Sequence, residues 1–345
     1  MSAILGQSVA IGDIGGELKK LWEADEAATN ASLMNFAIYS EVPGSLEQNA
    51  EVVMDITREH ACRAILVEVQ RGGEATEAEA WVTAQCHLAH GKKSVCCEQL
   101  SFRLVGKALG RMRNTLFANL GSDLPVVFWW QGEFSSLFEE RLYRSLDRLI
   151  YDSAEWEDVK GGYERVSQAV EDSRCRMVAQ DLAWTRTYHY RLSVAGLFDD
   201  PKAQEMLKRV SRVEIEFQPH YWSSAWMMAS WLATQAGWKL LRRNGEGFVF
   251  AGGLGEVAVV LKENAEGAAL GRLLITDGET RVEVSQKAGA GNLEMSLVAS
   301  GHELKRVAPA DPPRNRDLVG EQLSRGGKNS LFRKVWPVFF AMLEQ

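Results

Sequence analysis

The chain lacks a long apolar run. The longest uninterrupted one, Val335–Leu343, is nine residues and Leu124–Trp130 is seven, against the about 20 that a membrane-spanning helix needs. No Lys or Arg precedes Lys19, and Asp13 interrupts the weakly apolar start, which is not the pattern of a secretory leader. Positive charge is not in excess. Lys and Arg number 39 against 46 Asp and Glu, a formal net charge of −7, and this disfavours non-specific binding to nucleic acid or anionic membranes. Cysteine is sparse: Cys62, Cys86, Cys96, Cys97 and Cys175, an odd count with no C-x-x-C. Reduced thiols in a cytoplasmic protein are the expectation, and the Asn30-Ala31-Ser32 sequon is then silent.

The motifs of cofactor and catalytic sites are absent too. Gly12, Gly15 and Gly16 do not have the G-x-G-x-x-G spacing and read as a turn at a helix start. Gly91-Lys92-Lys93-Ser94 looks like the end of a phosphate loop, but Cys86 stands where the first glycine is needed and Lys93 where Ser or Thr is needed. Gly252-Gly253-Leu254-Gly255 reads as a hairpin turn. No H-E-x-x-H or G-x-S-x-G occurs. His60, with Glu59 and Asp55 beside it, reads as a surface ion pair. Cys86, His87, His90, Cys96 and Cys97 form the one soft-ligand cluster. Neighbours on a strand point to opposite faces, so Cys96 and Cys97 cannot both reach one zinc ion. Either could pair only with a distant cysteine. No cofactor, no metal and no catalytic residue is expected.

What is present is an ordinary globular composition. The 345 residues are 46% hydrophobic and 25% charged, enough for about two domains with real cores. Residues 13–23 read as a first helix. Met34–Ser40 and Arg63–Val69 read as strands around a helix at 45–60, the pattern of a βαβ unit. Glu79–Leu88 and Ser94–Val105 alternate as a hairpin, followed by a helix over Lys107–Leu120 and a doubly covered strand at Leu124–Trp130. A helix at 135–145, a strand at 148–151 and a bridging helix at 155–171 follow. Helices at 181–196 and 222–236 flank a strand at Val210–Phe217. Short strands with Gly-rich turns then run from Trp238 to Val298 as an antiparallel meander. Residues 308–316 read as a linker. A last helix at 330–344 offers Leu331, Val335, Val338, Phe339 and Met342 as its apolar stripe. The fold class is therefore α/β and α+β: a mixed three-layer α/β domain over 1–172, then an α+β domain over 173–345 with a meander and a C-terminal helix.

Two groups of residues stand out. Arg103, Lys107 and Arg111 recur every four residues with no acid between them. They make either an anion- or protein-docking face or a solvated face paired with acids elsewhere. Tryptophan is abundant, at 11. Trp222, Trp226 and Trp231 share a helix and read as core. Trp129 and Trp130 point opposite ways on one strand, which places one of them near a surface or domain interface, where Trp often anchors partners.

Several segments, in order, resemble the glucose-6-phosphate dehydrogenase assembly protein (OpcA) family. They are Arg63-Ala64-Ile65-Leu66-Val67, Cys97-Glu98 with Leu100, Asp123-Leu124-Pro125-Val126-Val127-Phe128-Trp129-Trp130, Asp147 through Ser153, Asp181-Leu182-Ala183-Trp184-Thr185-Arg186, and Trp231-Leu232-Ala233 through Gly237-Trp238. The resemblance covers roughly 45–245. Ala183 stands where the family has Asn, and Tyr190-Arg191 where it has Trp-Arg. The resemblance implies a non-catalytic cytoplasmic protein of carbohydrate metabolism. Such a protein binds glucose-6-phosphate dehydrogenase, promotes its active assembly and supports the pentose phosphate pathway; it binds no nucleic acid and no membrane. It marks Asp181, Trp184, Arg186 and Arg191, with Trp129 and Trp130, as candidate partner-binding residues. Asp181 would cap a helix, Trp184 anchor a partner and the arginines meet carboxylate or phosphate. The same charges would equally serve as an internal network. The alternative is a sensor or enzyme that takes a sugar phosphate or nucleotide between the two domains.

Overall fold

The computed structural model describes residues 4–23, 29–30, 32–72, 76–89, 93–121, 123–174, 176–245, 247–325 and 330–345. They form two compact units. The first runs to Gln180 and regains a short stretch from Val319; the second holds Asp181–Leu318 and the C-terminal helix. The division falls later than 172/173 because the strand ending at Asp181 still belongs to the first sheet.

The first unit contains β1 (Gln7–Val9), α1 (Ile14–Glu23), β2 (Thr29–Asn30), β3 (Asn35–Ser40), α2 (Ser45–Ile56), β4 (Arg63–Gln70), β5 (Thr76–Ala89), β6 (Lys93–Gly106), α3 (Met112–Ala118), β7 (Val126–Trp130), α4 (Glu140–Tyr143), β8 (Arg148–Tyr151), α5 (Val159–Asp172) and β9 (Val178–Asp181). Nine strands make one sheet in the order β1-β5-β6-β4-β3-β7-β8-β9, with β2 beside β6. The four neighbours β4, β3, β7 and β8 run parallel, and β5 is antiparallel to β6. Every residue of β3 and β7 is buried, as in a parallel sheet covered on both faces. That places Trp129 and Trp130 both inside, 4% and 0% exposed, and corrects the expectation of one near a surface. Trp130 lies 4.0 Å from Tyr39 between ring centroids, edge-on to Phe138, and donates its indole N–H to Glu133 O at 2.9 Å.

The β5–β6 hairpin forms as expected, and its register sets Cys86 opposite Cys96. The two are joined as a disulfide, so the expectation of reduced thiols throughout is corrected. The partner is distant in sequence but adjacent across the ladder. Cys62 and Cys97 are buried thiols outside that disulfide; His90 and Cys175 lie outside the described residues. The expected helix over Lys107–Leu120 is a 3₁₀ turn, Lys107–Arg111, followed by the shorter α3. Only one turn, α4, forms in 135–145, because Phe134 and Phe138 stack in the core at 4.1 Å. Helix α5 does not bridge the halves. It lies in the first unit, capped by Asp158, which accepts from Gly161 N at 2.9 Å.

The second unit contains α6 (Leu182–Thr185), α7 (Tyr188–Leu197), α8 (Pro201–Leu207), β10 (Arg212–Phe217), α9 (Trp222–Ala236), β11 (Lys239–Asn244), β12 (Gly247–Ala251), β13 (Glu256–Glu263), β14 (Leu270–Thr276), β15 (Arg281–Ser285), β16 (Asn292–Ala299) and β17 (His302–Pro309), then the start of α10 (Asn315–Ser324), and α11 (Ser330–Leu343). Its eight strands are ordered β11-β12-β13-β10-β14-β15-β16-β17. The expected meander is therefore split. Strand β10 inserts between β13 and β14, parallel to the first and antiparallel to the second, because Val213, Ile215 and Phe217 complete the apolar face at its centre. Strand β17 and helix α10 reach into the two ends of the expected linker, and 310–314 between them is neither helix nor strand. The end of α10 belongs to the first unit, where Arg148 donates to Gln322 O at 2.7 Å and Arg325 O at 3.2 Å. The buried stripe of α11 is Phe332, Val335, Trp336, Phe339 and Met342; Leu331 faces outward at 38% exposure.

Candidate functional site

In an open parallel sheet, ligands collect at the carboxyl ends of strands where the strand order reverses, with phosphate at a helix N-terminus. Here β3 is that strand, with β4 on one side and β7 on the other, and α2 follows it. The N-terminus of α2 is already filled. Glu68, fully buried at the end of β4, accepts from Leu46 N at 3.0 Å. Its other oxygen takes Arg103 Nε at 3.1 Å and Gln70 Nε2 at 2.7 Å. A carboxylate of the chain itself thus sits where a nucleotide fold would hold phosphate.

Arg103 is the hub of that corner. It sits opposite Glu68 in the ladder, reaches Glu79 at 3.2 Å and Glu47 at 3.6 Å, and lies over the Trp81 ring at 5.3 Å. It belongs to an acid-paired cluster on β6, not to a basic helix face. Lys107 and Arg111 are exposed on the 3₁₀ turn. In that geometry residues four apart do not share a face, so the three cations are not brought together.

The Asp181–Arg191 segment builds a rigid interior. Asp181 caps α6 by accepting from Ala183 N at 2.8 Å, and Thr185 Oγ1 donates to Asp181 O at 2.8 Å. Trp184 stacks on Phe332 at 5.3 Å, and the Arg191 guanidinium lies 3.5 Å from the Trp184 ring centroid. Arg191 donates to Trp184 O at 2.8 Å and to Thr187 Oγ1. Arg186 donates to Asn315 Oδ1 at 2.8 Å and covers the Tyr221 ring at 4.8 Å. Tyr190 donates to Leu270 O at 2.5 Å, and burial pushes its phenol well above the ordinary range. Asp181, Trp184, Arg186 and Arg191 are all buried, so this segment is an internal network that the surface rests on.

That surface is an apolar recess of about 470 Å³ in the second unit. Arg191, Trp231 and Trp238 line it, and Leu192, Leu207 and Leu331 stand on its rim at 51%, 37% and 38% exposure. Trp231 and Trp238 are themselves only 6% exposed. Sequence reading missed the three leucines, because each sits in an amphipathic helix where a leucine normally reads as core. Only their spacing off the buried stripe marks them.

Burial pushes the Cys62 and Cys97 thiols above the ordinary cysteine range, which disfavours the thiolate. No group of three or more metal-ligating side chains occurs among the described residues. No described helix is long and apolar enough to cross a membrane.

The fold and these sites define a two-unit mixed α/β protein whose nucleotide corner is closed by its own carboxylate and whose most specific segment is a buried scaffold. The family described as glucose-6-phosphate dehydrogenase subunit N-terminal domain matches residues 53–168, and its C-terminal domain counterpart matches residues 177–336. The chain belongs to the glucose-6-phosphate dehydrogenase assembly protein (OpcA) family. It is similar to the OxPP cycle protein OpcA of Synechocystis sp., 21% identical over 77% of this chain and 60% of that protein. It is also similar to the OpcA of Nostoc punctiforme, 25% identical over 57% and 43%, and of Synechococcus elongatus, 22% identical over 84% and 69%. Among solved structures, the aldose-aldose oxidoreductase of Caulobacter crescentus aligns at 12% identity with a TM-score of 0.49, over 88% of this chain and 95% of that one.

Proposed function

We propose that this protein is a non-catalytic assembly factor and allosteric activator of glucose-6-phosphate dehydrogenase in the cytoplasm, supporting the oxidative pentose phosphate pathway. The family assignment supports this choice of partner. The observation that carries the reading is the rimmed apolar recess on a stiff buried floor. Three exposed leucines around one hollow, backed by Arg191 and Trp231, have the composition of a docking surface. A binding protein activates an enzyme only if it binds the active arrangement more tightly than the inactive one. The recess therefore holds a surface that the dehydrogenase presents in its active oligomer.

The test is to titrate the same organism's dehydrogenase with this chain and follow the NADP-dependent rate, with light scattering on the same mixtures. A co-eluting complex with raised kcat/KM is expected, and Leu192→Asp should abolish both. Absence of a complex and of any rate change would overturn the reading.

A further inference from the structure

The second unit has another recess, of about 660 Å³, that the docking surface does not use. Its wall is Trp222 and Trp226, one turn apart at the start of α9, edge to face at 5.2 Å. Trp226 is braced edge-on against Phe248 at 4.9 Å, and Phe248 and Leu261 behind the wall are buried. Unlike Trp231 on the same helix, these two indoles are half-buried, so the helix does not use them wholly as core.

The rest of the lining is charged. Arg243, at the end of β11, holds its guanidinium 5.8 Å from the Trp226 ring centroid. It is exposed and makes no ion pair among the described residues. The exposed Glu263 faces the recess from the end of β13; Lys262 beside it points to the other face of the sheet, where its ammonium meets Glu214 at 2.8 Å. Helix α9 begins at this edge with no side-chain cap, so its positive end adds to the same potential. An arginine beside an aromatic wall selects a ligand with a stackable ring and an anionic tail. Guanidinium suits phosphate in particular, and a carboxylate nearby accepts from hydroxyls. The volume is that of a small-molecule site.

We infer that this recess binds a phosphorylated sugar, free or as part of a nucleotide. The ring lies on Trp222 and Trp226, the phosphate meets Arg243, and a hydroxyl donates to Glu263. The recess is formed by residues of the second unit alone, and binding needs no dehydrogenase.

The experiment is calorimetric titration of the full chain, without any partner enzyme, with glucose 6-phosphate, adenosine 5′-monophosphate, glucose and inorganic phosphate. Saturable binding of at least one phosphorylated ring compound is expected, at least about tenfold tighter than glucose or phosphate alone. Preference between the first two tells a free sugar phosphate from a nucleotide. Arg243→Gln should weaken the binding about tenfold or more with the melting temperature unchanged; Trp222→Leu should do the same and remove a tryptophan fluorescence change. The proposal is overturned if neither compound saturates below about 10 mM, if phosphate alone binds as tightly, or if affinity survives Arg243→Gln. Because no dehydrogenase is present, these outcomes are independent of the docking reading.

Discussion

Glu68 is the single side chain that most shapes the first unit. A carboxylate inside the apolar strand Arg63–Gln70 would be costly alone, yet here it takes one backbone N–H and the Arg103 guanidinium. Glu68→Gln keeps an acceptor for Leu46 but removes the charge that Arg103 matches. A loss of about 1–3 kcal/mol is expected in urea unfolding. Trp184→Ala removes the ring between Arg191 and Phe332 and should cost about 3–5 kcal/mol. Glu41 gives a pH signature. Burial alone would raise its carboxyl, but hydrogen bonds from Arg71, Ser135 and Tyr39 outweigh it and hold the carboxyl below 4.5. A carboxyl depressed on folding stabilises the fold at pH above its unfolded value, and that contribution fades as pH falls through the folded one. The melting temperature should therefore fall on acidification below pH 4.5, and less steeply in Glu41→Gln.

At the scale of elements, the ladder between β5 and β6 decides the cysteine chemistry. With Cys86 and Cys96 joined and Cys62 and Cys97 as thiols, alkylation of the unfolded, unreduced protein should label Cys62 and Cys97. Cys86 and Cys96 should label only after reduction, as peptide mass mapping reads. Most elements were legible from periodicity. The alternation of the hairpin, the apolar run of β7 and the 3.6 period of α2 each matched the element that formed. The miss at β10 was one of topology, since an alternating strand looks the same wherever in a sheet it pairs. In α11 Val335, Phe339 and Met342 are buried as expected, but Phe332 and Trp336 complete the stripe in place of Leu331 and Val338. Leu331 and Val338 are as apolar as Phe332 and Trp336, and only the packed neighbours settle which side turns inward.

At the scale of the whole molecule, the exposed leucines of the recess can be changed separately from the buried contacts that hold the fold. Leu192 is half exposed, so Leu192→Asp should change folding stability by no more than about 0.5 kcal/mol. If the recess is the docking surface, the same change should weaken the dehydrogenase complex by about tenfold or more, read by light scattering at matched concentrations. Glu68→Gln should do the reverse, lowering stability while leaving the affinity unchanged at a temperature where the chain stays folded.

The sequence alone determined the composition class, the two-part organisation, most of the strands and helices, and the family, because these follow from local periodicity and from ordered motifs. It also marked Asp181, Trp184, Arg186 and Arg191 as a unit. Whether that unit faced a partner or the interior was decided only by tertiary packing, which buries all four. The same holds for Glu68 at the helix start, for the Cys86–Cys96 pair and for the outward leucines. Burial and contact between residues far apart in sequence depend on which faces meet, and a one-dimensional pattern does not carry that information.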